Sequence, residues 1–209
     1  MLPRDFPYAR IGHPHDYLTQ YMDRLKEAAA AIDRSALDRG VTMLRDLFSR
    51  GGTLYVCGNG GSAAIANHMT CDMLKGVRAD TPLTPRIVSL STQVELITAI
   101  ANDMDYAEVF AYQLRSLAKP GDGLLVISSS GNSENIVRAL EAARESGLSS
   151  IAMTGFSGGR CAGMASVNLH VPCHNYGIVE DIHQSLMHVM AQYLRLSSMP
   201  DGLIDQRVF

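Results

Sequence analysis

The chain has 209 residues, of which 46% are hydrophobic and 19% are charged, with a formal net charge of −3. This length suits one large α/β domain with a substantial core, whereas two full domains would be cramped. The slight acidity provides no basic field for nucleic acid, and no block of lysine or arginine predicts binding to a membrane.

Cysteine usage and hydropathy indicate the compartment. The four cysteines, at positions 57, 71, 161 and 173, include no CxxC pair, so we expect neither a disulfide framework nor a zinc ribbon. The N-terminus has no apolar signal core, and no stretch elsewhere reaches the length of a membrane span. These features predict a protein of the reducing cytoplasm.

Helical periodicity dominates the N-terminal quarter of the chain. Residues 1–13 contain two prolines and no periodicity, which predicts an irregular lead. Apolar residues then recur at helical spacing over residues 14–34 and again from Leu37 to Phe48. We therefore predict that residues 1–50 form a lead and a helical hairpin, which belong to the same unit as the rest and contribute an oligomer surface.

Strand and helix patterns alternate over residues 51–209, which we interpret as one domain. The predicted strands cover residues 53–57, 86–90, 124–127, 150–154 and 167–171, and the predicted helices include residues 63–74, 94–101, 107–117 and 178–197. The third strand is apolar throughout, as expected of a strand buried on both faces. Five strands alternating with helices predict a parallel, three-layer α/β sandwich.

Small polar residues follow the third strand abruptly. Residues 128–133 read Ser-Ser-Ser-Gly-Asn-Ser and precede a helical pattern with Ile136 and Leu140 on its apolar face. Backbone N–H groups and the positive end of the helix dipole attract an anion at a helix start, and hydroxyls donate further hydrogen bonds to phosphate oxygens. We interpret this serine loop as a phosphate cradle. An ordinary helix N-cap is the alternative, since serine and asparagine also start helices without a ligand.

A glycine loop follows the first strand in the same way. Residues 58–62 read Gly-Asn-Gly-Gly-Ser, where Gly60 and Gly61 let the backbone approach a ligand and Asn59 and Ser62 can bond to it. The loop matches neither common nucleotide-phosphate motif, and a plain tight turn is the alternative. In a parallel sheet the two loops face one crevice, where they can hold a sugar phosphate from both sides.

Two helical pairs supply ionisable side chains. His68 and Asp72 lie four residues apart on the helix after the glycine loop, and Glu180 and His188 lie eight apart on the final helix. Two imidazoles with two carboxylates suit zinc or a similar divalent ion, and they equally suit general acid/base chemistry. Each pair alone is also typical of a surface ion pair or a core histidine.

Taken together, these motifs resemble one family. Cys-Gly-Asn-Gly-Gly-Ser at 57–62, Ile-Ser-Ser-Ser-Gly-Asn-Ser at 127–133, the glycines at 155, 158 and 159 and the final His-x4-His are similar to the sugar isomerase (SIS) domain family, and within it to the phosphoheptose isomerases. The resemblance implies a flavodoxin-like sheet and a homotetramer with active sites at subunit interfaces. It also implies isomerisation of sedoheptulose 7-phosphate for heptose precursor synthesis.

The resemblance further implies roles for individual residues. Phosphate contacts would come from Ser128, Ser129, Ser130 and Ser133, with Ser129 in a position that the family fills with threonine. Sugar contacts would come from Asn59, Ser62 and Asp103. The positions that bind zinc in some members correspond to His68, Asp72, Glu180 and His188. We expect one zinc ion per chain, with Asp72 or Glu180 as the catalytic base and His188 as its acid partner.

Three positions depart from the phosphoheptose isomerase pattern. Asp72 stands where those enzymes have glutamate, Glu180 where they have glutamine, and Gly177 where they have an acid near the sugar. Asp72 is one methylene shorter, so a base there needs a closer substrate or an intervening water, whereas Glu180 adds a negative charge that strengthens metal binding. These differences bear on the heptose substrate and not on the phosphosugar class.

Two other functions stand beside the isomerase. Some relatives of the family are non-catalytic proteins that bind a regulatory partner such as a replication initiator, and they have a neutral residue at the position of Asp72. Because Asp72 is ionisable, the sequence favours an enzyme. A sugar-phosphate sensor fused to a DNA-reading module lacks support, because the sequence predicts no second domain and no basic helix.

Overall fold

Five parallel strands form the centre of the structure, a computed structural model that describes residues 5–209. The strands are β1 (Thr53–Gly58), β2 (Arg86–Ser89), β3 (Gly123–Ser128), β4 (Ser149–Thr154) and β5 (Val167–His170). Their order in the sheet is β2-β1-β3-β4-β5, and each neighbouring pair is parallel. The predicted flavodoxin-like sheet is therefore confirmed. Positions 1–4 of the predicted irregular lead lie outside the described residues.

Helices cover both faces of the sheet. They are α1 (Pro14–Ala30), α2 (Arg34–Ser49), α3 (Gly61–Cys71), α4 (Val94–Asp103), α5 (Ala111–Leu117), α6 (Glu134–Glu145), α7 (Gly159–Ala162), α8 (Tyr176–Ser198) and α9 (Asp201–Ile204). One apolar core joins the sheet to α1, α2, α3 and α8, and a second joins it to α4, α5 and α6. Within residues 5–209, no helix combines the length and apolar character needed to cross a membrane.

The N-terminal hairpin belongs to the first of these layers. Asp5 anchors the segment before it, since its carboxylate accepts hydrogen bonds from Arg24 Nε and from the His174 backbone N–H, both at 2.7 Å. The hydrogen bond from the Arg24 guanidinium holds the pKa of Asp5 well below its usual range. These bonds tie the start of the described chain to the loop before α8. The predicted division of the chain at residue 50 stays a prediction. The apolar core is continuous across this position, so the hairpin and the sheet share one core.

The structure corrects one predicted helix. Residues 107–117 do not form a single helix, because a short 3-10 turn at Tyr106–Glu108 is followed by a separate α5. The residues at the break, Val109, Phe110 and Ala111, are all buried. Three consecutive residues of one straight helix point in directions about 100° apart and cannot all face the same core. The break lets all three pack inward.

The strand order reverses between β1 and β3, and this reversal positions the site. Ligands of doubly wound sheets bind outside the carboxyl ends of the strands at such a point. The glycine loop leaves β1 there, and the serine loop leaves β3. Each loop runs directly into a helix, so α3 and α6 both begin at this crevice.

Candidate active site

The serine loop presents hydroxyl groups to the crevice. Ser128 Oγ and Ser130 Oγ each accept a hydrogen bond from a backbone N–H of the same loop, at 3.2 and 3.3 Å, which leaves both hydroxyl protons available to donate. Ser133 is the N-cap of α6, and among the described residues its side chain makes no capping bond. The buried Ser129 Oγ has no partner within residues 5–209 either. A bound anion would satisfy these groups.

Close packing against the loop after β4 holds the serine loop in shape. Gly131 has a φ of +65°, and a Cβ at this position would collide with the carbonyl group of Gly158. On the other side of the contact, Asn132 Oδ1 accepts a hydrogen bond from the Arg160 backbone N–H at 3.0 Å. The glycines at 131 and 158 therefore belong to one packing contact, which explains why both are part of the same sequence pattern.

Asn59 in the glycine loop is held by residues that the sequence did not identify. Its Nδ2 donates to Asn135 Oδ1 at 2.9 Å, and Asn135 Nδ2 donates back to Asn59 Oδ1 at the same distance of 2.9 Å. Tyr106 Oη donates to Asn59 Oδ1 at 3.0 Å. Asn135 lies two residues after the serine loop, so this amide pair joins the two loops. Asn135 lies at helical spacing from Ala139 and Ala142, so a polar residue on an apolar helix face was the signal available in the sequence.

Both loops line one cavity of about 150 Å³, which we call the serine cavity. Its lining residues are Asn59, Ser62, Ile127, Ser128, Ser129, Ser130, Ser133, Tyr176 and Glu180. Gly60 and Gly61 belong to the same glycine loop. Asp103 lies elsewhere, exposed at the end of α4, where it accepts a hydrogen bond from Asn102 Nδ2 at 2.8 Å. Its contact with a sugar stays a prediction.

Glu180 enters the serine cavity from α8. A Cβ on Gly61 would lie 2.8 Å from Glu180 Oε2, so the glycine at the start of α3 leaves room for this carboxylate. The side chain therefore contacts the glycine loop at the cavity wall. The structure does not bring Glu180 into the group that the other predicted metal ligands form.

Those other predicted ligands meet where α3 and α8 pack together. Asp72 presents one oxygen to each ring, with Oδ1 3.4 Å from His68 Nε2 and Oδ2 3.5 Å from His188 Nε2. One ligand atom from each of the three residues lies within 4.8 Å of the others. We call these residues the histidine cluster. Asp72 also begins a π-helical turn, Asp72–Val77, and such turns are frequent at functional sites.

The histidine cluster fits a divalent metal ion. Two imidazole nitrogens and a carboxylate are donors that zinc commonly takes in proteins. Solvent reaches 48% of the His68 side chain and 40% of the His188 side chain, so an ion and a substrate have access. The structure therefore contains a candidate metal-binding group of three residues.

Gln184 is a further neighbour of this cluster that the sequence did not identify. Its Nε2 lies 3.0 Å from His68 Nδ1 and 3.2 Å from His188 Nε2. Gln184 lies four residues after Glu180 and four before His188, so all three share one face of α8. This spacing was the signal that could have identified it.

Comparisons with known proteins agree with this site and fold. The SIS domain family model matches residues 16–155. A phosphoheptose isomerase of Alteromonas mediterranea is 39% identical over 178 residues, which cover 84% of this chain and 89% of that protein. The solved phosphoheptose isomerase GmhA of Neisseria gonorrhoeae has a TM-score of 0.79 at 32% identity, covering 86% of this chain and 95% of its own.

A solved phosphoheptose isomerase of Francisella tularensis gives the same picture, with a TM-score of 0.79 at 30% identity over 88% of this chain and 100% of its own. Identity of this level over nearly the whole chain, combined with the shared sheet order and loops, is decisive for family membership. The protein belongs to the SIS domain family, and within it to the phosphoheptose isomerases.

Proposed function

We propose that the protein isomerises sedoheptulose 7-phosphate to D-glycero-D-manno-heptose 7-phosphate. The observation that carries this proposal is the serine cavity, where hydroxyl donors and the start of α6 meet the carboxylate of Glu180. The relatives with 39% and 37% identity that bear the name phosphoheptose isomerase support the choice of substrate. The work of the site divides between a phosphate end and a reacting end.

The phosphate end is the serine loop. Ser128, Ser130 and Ser133 donate hydroxyl hydrogen bonds to phosphate oxygens, and the N-terminus of α6 adds its positive dipole end. Ser129 Oγ, which is buried without a partner within residues 5–209, gains one when an anion binds. Asn59, held by the amide of Asn135, contacts the sugar from the opposite wall.

The reacting end is the histidine cluster. Glu180 at the serine cavity and His188 at the cluster are eight residues apart on one helix face, which corresponds to a rise of about 12 Å. A seven-carbon sugar with a terminal phosphate has this order of length when extended. The phosphate in the serine cavity therefore leaves the first two carbons near Asp72 and His188, and Glu180 accepts hydrogen bonds from sugar hydroxyls between the two ends.

The reaction moves one proton between neighbouring carbons. Asp72 takes a proton from C1, the carbon next to the ketone, and an enediol forms. The proton returns to C2 while His188 moves a proton from O1 to O2, which gives the aldose with no net oxidation. Asp72 is the better placed of the two predicted bases, because it belongs to the histidine cluster and Glu180 does not.

Zinc is the metal that we assign to the histidine cluster, because imidazole donors favour zinc over magnesium. When bound, the ion supplies positive charge beside the developing enediolate oxygens. His68, Asp72 and His188 would hold it, with one ion per chain. His188 Nε2 cannot hold the ion and carry a proton at the same time, so in the loaded site the ion would take the place of the His188 acid. Elemental analysis of protein purified without chelator checks the stoichiometry, and His68→Ala is expected to lose both the metal and the isomerase activity.

A homotetramer with active sites at subunit interfaces completes the proposal. Large apolar side chains are exposed along α1, at Tyr17, Leu18 and Met22, and along α8, at Val189 and Tyr193. Rows of exposed apolar residues on neighbouring helices are typical of subunit contacts. Because α8 also carries His188, a contact along this helix places a second subunit beside the reacting end.

The direct test is conversion of substrate. Purified protein is incubated with sedoheptulose 7-phosphate, and the aldose product is identified by NMR. We expect conversion by the wild-type protein and by the surface variant Ser116→Ala, whereas Asp72→Asn is expected to lose activity by about a hundredfold or more, as for removal of a general base. Conversion by Asp72→Asn at the wild-type rate would contradict the assigned base.

A further inference from the structure

The carboxamide of Gln184 lies between the two imidazoles of the histidine cluster. Its nitrogen is 3.0 Å from His68 Nδ1 and 3.2 Å from His188 Nε2. Both rings also contact Asp72 directly. We infer that Gln184, and not Glu180, is the fourth protein donor of the metal site. This inference rests on the proposed function only in taking the histidine cluster as the metal site of the same active centre.

The distances between the donor atoms support a shared ion. A tetrahedral zinc ion with bonds of about 2.0–2.2 Å separates its donor atoms by about 3.3–3.6 Å. The contacts from Asp72 to His68 Nε2 and to His188 Nε2 measure 3.4 and 3.5 Å, and the contact from Gln184 to His188 Nε2 measures 3.2 Å. These three separations are close to those of donors around one small cation at the Nε2 atoms of both rings, and Gln184 meets His68 at its other nitrogen, Nδ1, at 3.0 Å.

Hydrogen bonding between neutral rings and Gln184 does not satisfy this group. If the amide nitrogen of Gln184 donates to both neutral rings, His188 Nε2 is an acceptor and turns a lone pair toward Asp72 Oδ2. If the amide is turned by half a rotation, its oxygen accepts from His68 Nδ1, and His68 Nε2 then turns a lone pair toward Asp72 Oδ1. With both rings neutral, each orientation leaves two acceptors facing each other, and either a second proton on a ring or a bound cation removes the conflict.

The side chain of Glu180 lies at the serine cavity and not in the histidine cluster. Its carboxylate lines the serine cavity and packs against Gly61, where a Cβ would lie 2.8 Å from Oε2. Gln184 occupies the next turn of the same helix face, one turn closer to His188. A half rotation of the Gln184 amide group exchanges its nitrogen and oxygen atoms. The carbonyl oxygen, which can bind a metal ion, then lies beside both rings.

The choice of donor sets the charge of the loaded site. A donor set of two neutral imidazoles, one neutral amide and the Asp72 carboxylate leaves a dication with a net charge of +1. A set containing both Asp72 and Glu180 would be neutral. The positive set stabilises a developing enediolate better, because opposite charges then act at close range.

Zinc affinity tests this inference without reference to catalysis. Wild-type protein, Gln184→Met and Glu180→Gln are titrated with zinc against a chromophoric chelator, with Gln20→Met at an exposed position of α1 as the control. We expect Gln184→Met to bind zinc about 10–100-fold more weakly, as for other losses around a metal site. Glu180→Gln and Gln20→Met are expected to bind zinc as the wild type does.

Two further measurements complete the design. Gln184→Glu keeps the side-chain shape and adds a negative donor, so it should bind zinc more tightly than the wild type, and it replaces Gln184→Met if that variant fails to fold. The visible absorption of bound Co²⁺, which reports the donor set, should change in both Gln184 variants and stay unchanged in Glu180→Gln.

The inference would be overturned if both Gln184 variants bound zinc with the affinity of the wild type. Weaker zinc binding in Glu180→Gln alone would also overturn it, and so would a wild-type protein that takes up no zinc. Failure of the proposed function has a different signature. In that case wild-type protein does not convert the heptose phosphate, while the zinc affinities of the variants still decide the role of Gln184.

Discussion

At the scale of single residues, the serine loop holds hydroxyls whose hydrogen bonds residues 5–209 leave incomplete. Replacing Ser130 and Ser133 together with alanine removes two donors to one anion, which should cost about 3–6 kcal/mol of binding free energy if both contribute independently. Calorimetric titration with sugar phosphate measures this change. Ser116→Ala, at an exposed hydroxyl on α5 bonded to the Tyr112 carbonyl, is the control. A folded double variant with unchanged affinity would remove the phosphate role from this loop.

His183 is a buried titratable residue that affects how stability depends on pH. The side chain is fully buried in α8, and neither ring nitrogen has a partner within residues 5–209 that meets hydrogen-bond geometry. Burial lowers the pKa of His183 to about 4, against 6.5 for an ordinary histidine. Between these two values the unfolded chain binds a proton that the folded protein does not bind. The contribution of neutral His183 to the free energy of unfolding is therefore fully present above pH 6.5 and is lost progressively as the pH falls toward 4.

This difference predicts an acid-sensitive fold. The free energy of unfolding should fall by about 3 kcal/mol between pH 7 and pH 4 through His183 alone, since each pKa unit corresponds to about 1.4 kcal/mol. Urea unfolding at a series of pH values measures it. His183→Phe keeps an aromatic ring without a titrating group, so its stability should depend less steeply on pH. Parallel profiles for the two proteins would show that other groups account for the acid sensitivity.

At the scale of elements, the contact of α3 with α8 brings the site together. Gly61→Ala places a methyl group 2.8 Å from Glu180 Oε2 and should displace this carboxylate. Alanine favours the helix, so stability should hold while kcat/KM falls by at least tenfold, because misplacement of a site residue by about 1 Å can cost a hundredfold. Gly163→Ala, where a Cβ meets nothing within 4 Å, is the control. Equal kcat/KM in both variants would mean that Glu180 has no part in the reaction.

The elements differ in how far the sequence could predict them. β3 and the serine loop were predictable, because an uninterrupted apolar run ends abruptly in small polar residues. The break before α5 was not, because Val109 and Phe110 become adjacent core residues only once α6 packs over them. The reciprocal amide pair of Asn59 and Asn135 depends on strand order, which places the two loops side by side. The helical spacing places Gln184 between Glu180 and His188 on one face of α8. An amide at such a position is not by itself typical of a metal site, so the sequence did not identify it.

At the scale of the whole molecule, the proposed assembly rests on the apolar residues left exposed on α1 and α8. We expect a tetramer at micromolar concentration in a sedimentation velocity experiment. Replacing Leu18 and Val189 with glutamate should shift the distribution toward smaller species, because charge in a subunit contact is costly to bury. A wild-type protein that sediments as a monomer under these conditions would contradict the interface active site.

Proton transfer between C1 and C2 is the central claim, and deuterium incorporation tests it most directly. The protein is incubated with sedoheptulose 7-phosphate in deuterated water, and the sugar is examined by NMR and mass spectrometry. The enediol pathway predicts conversion to the aldose with solvent deuterium at the carbon next to the carbonyl, and loss of both with Asp72→Asn. Substrate recovered unconverted and without deuterium after incubation with folded wild-type protein would contradict the account and favour a non-catalytic binder of sugar phosphate or of a protein partner.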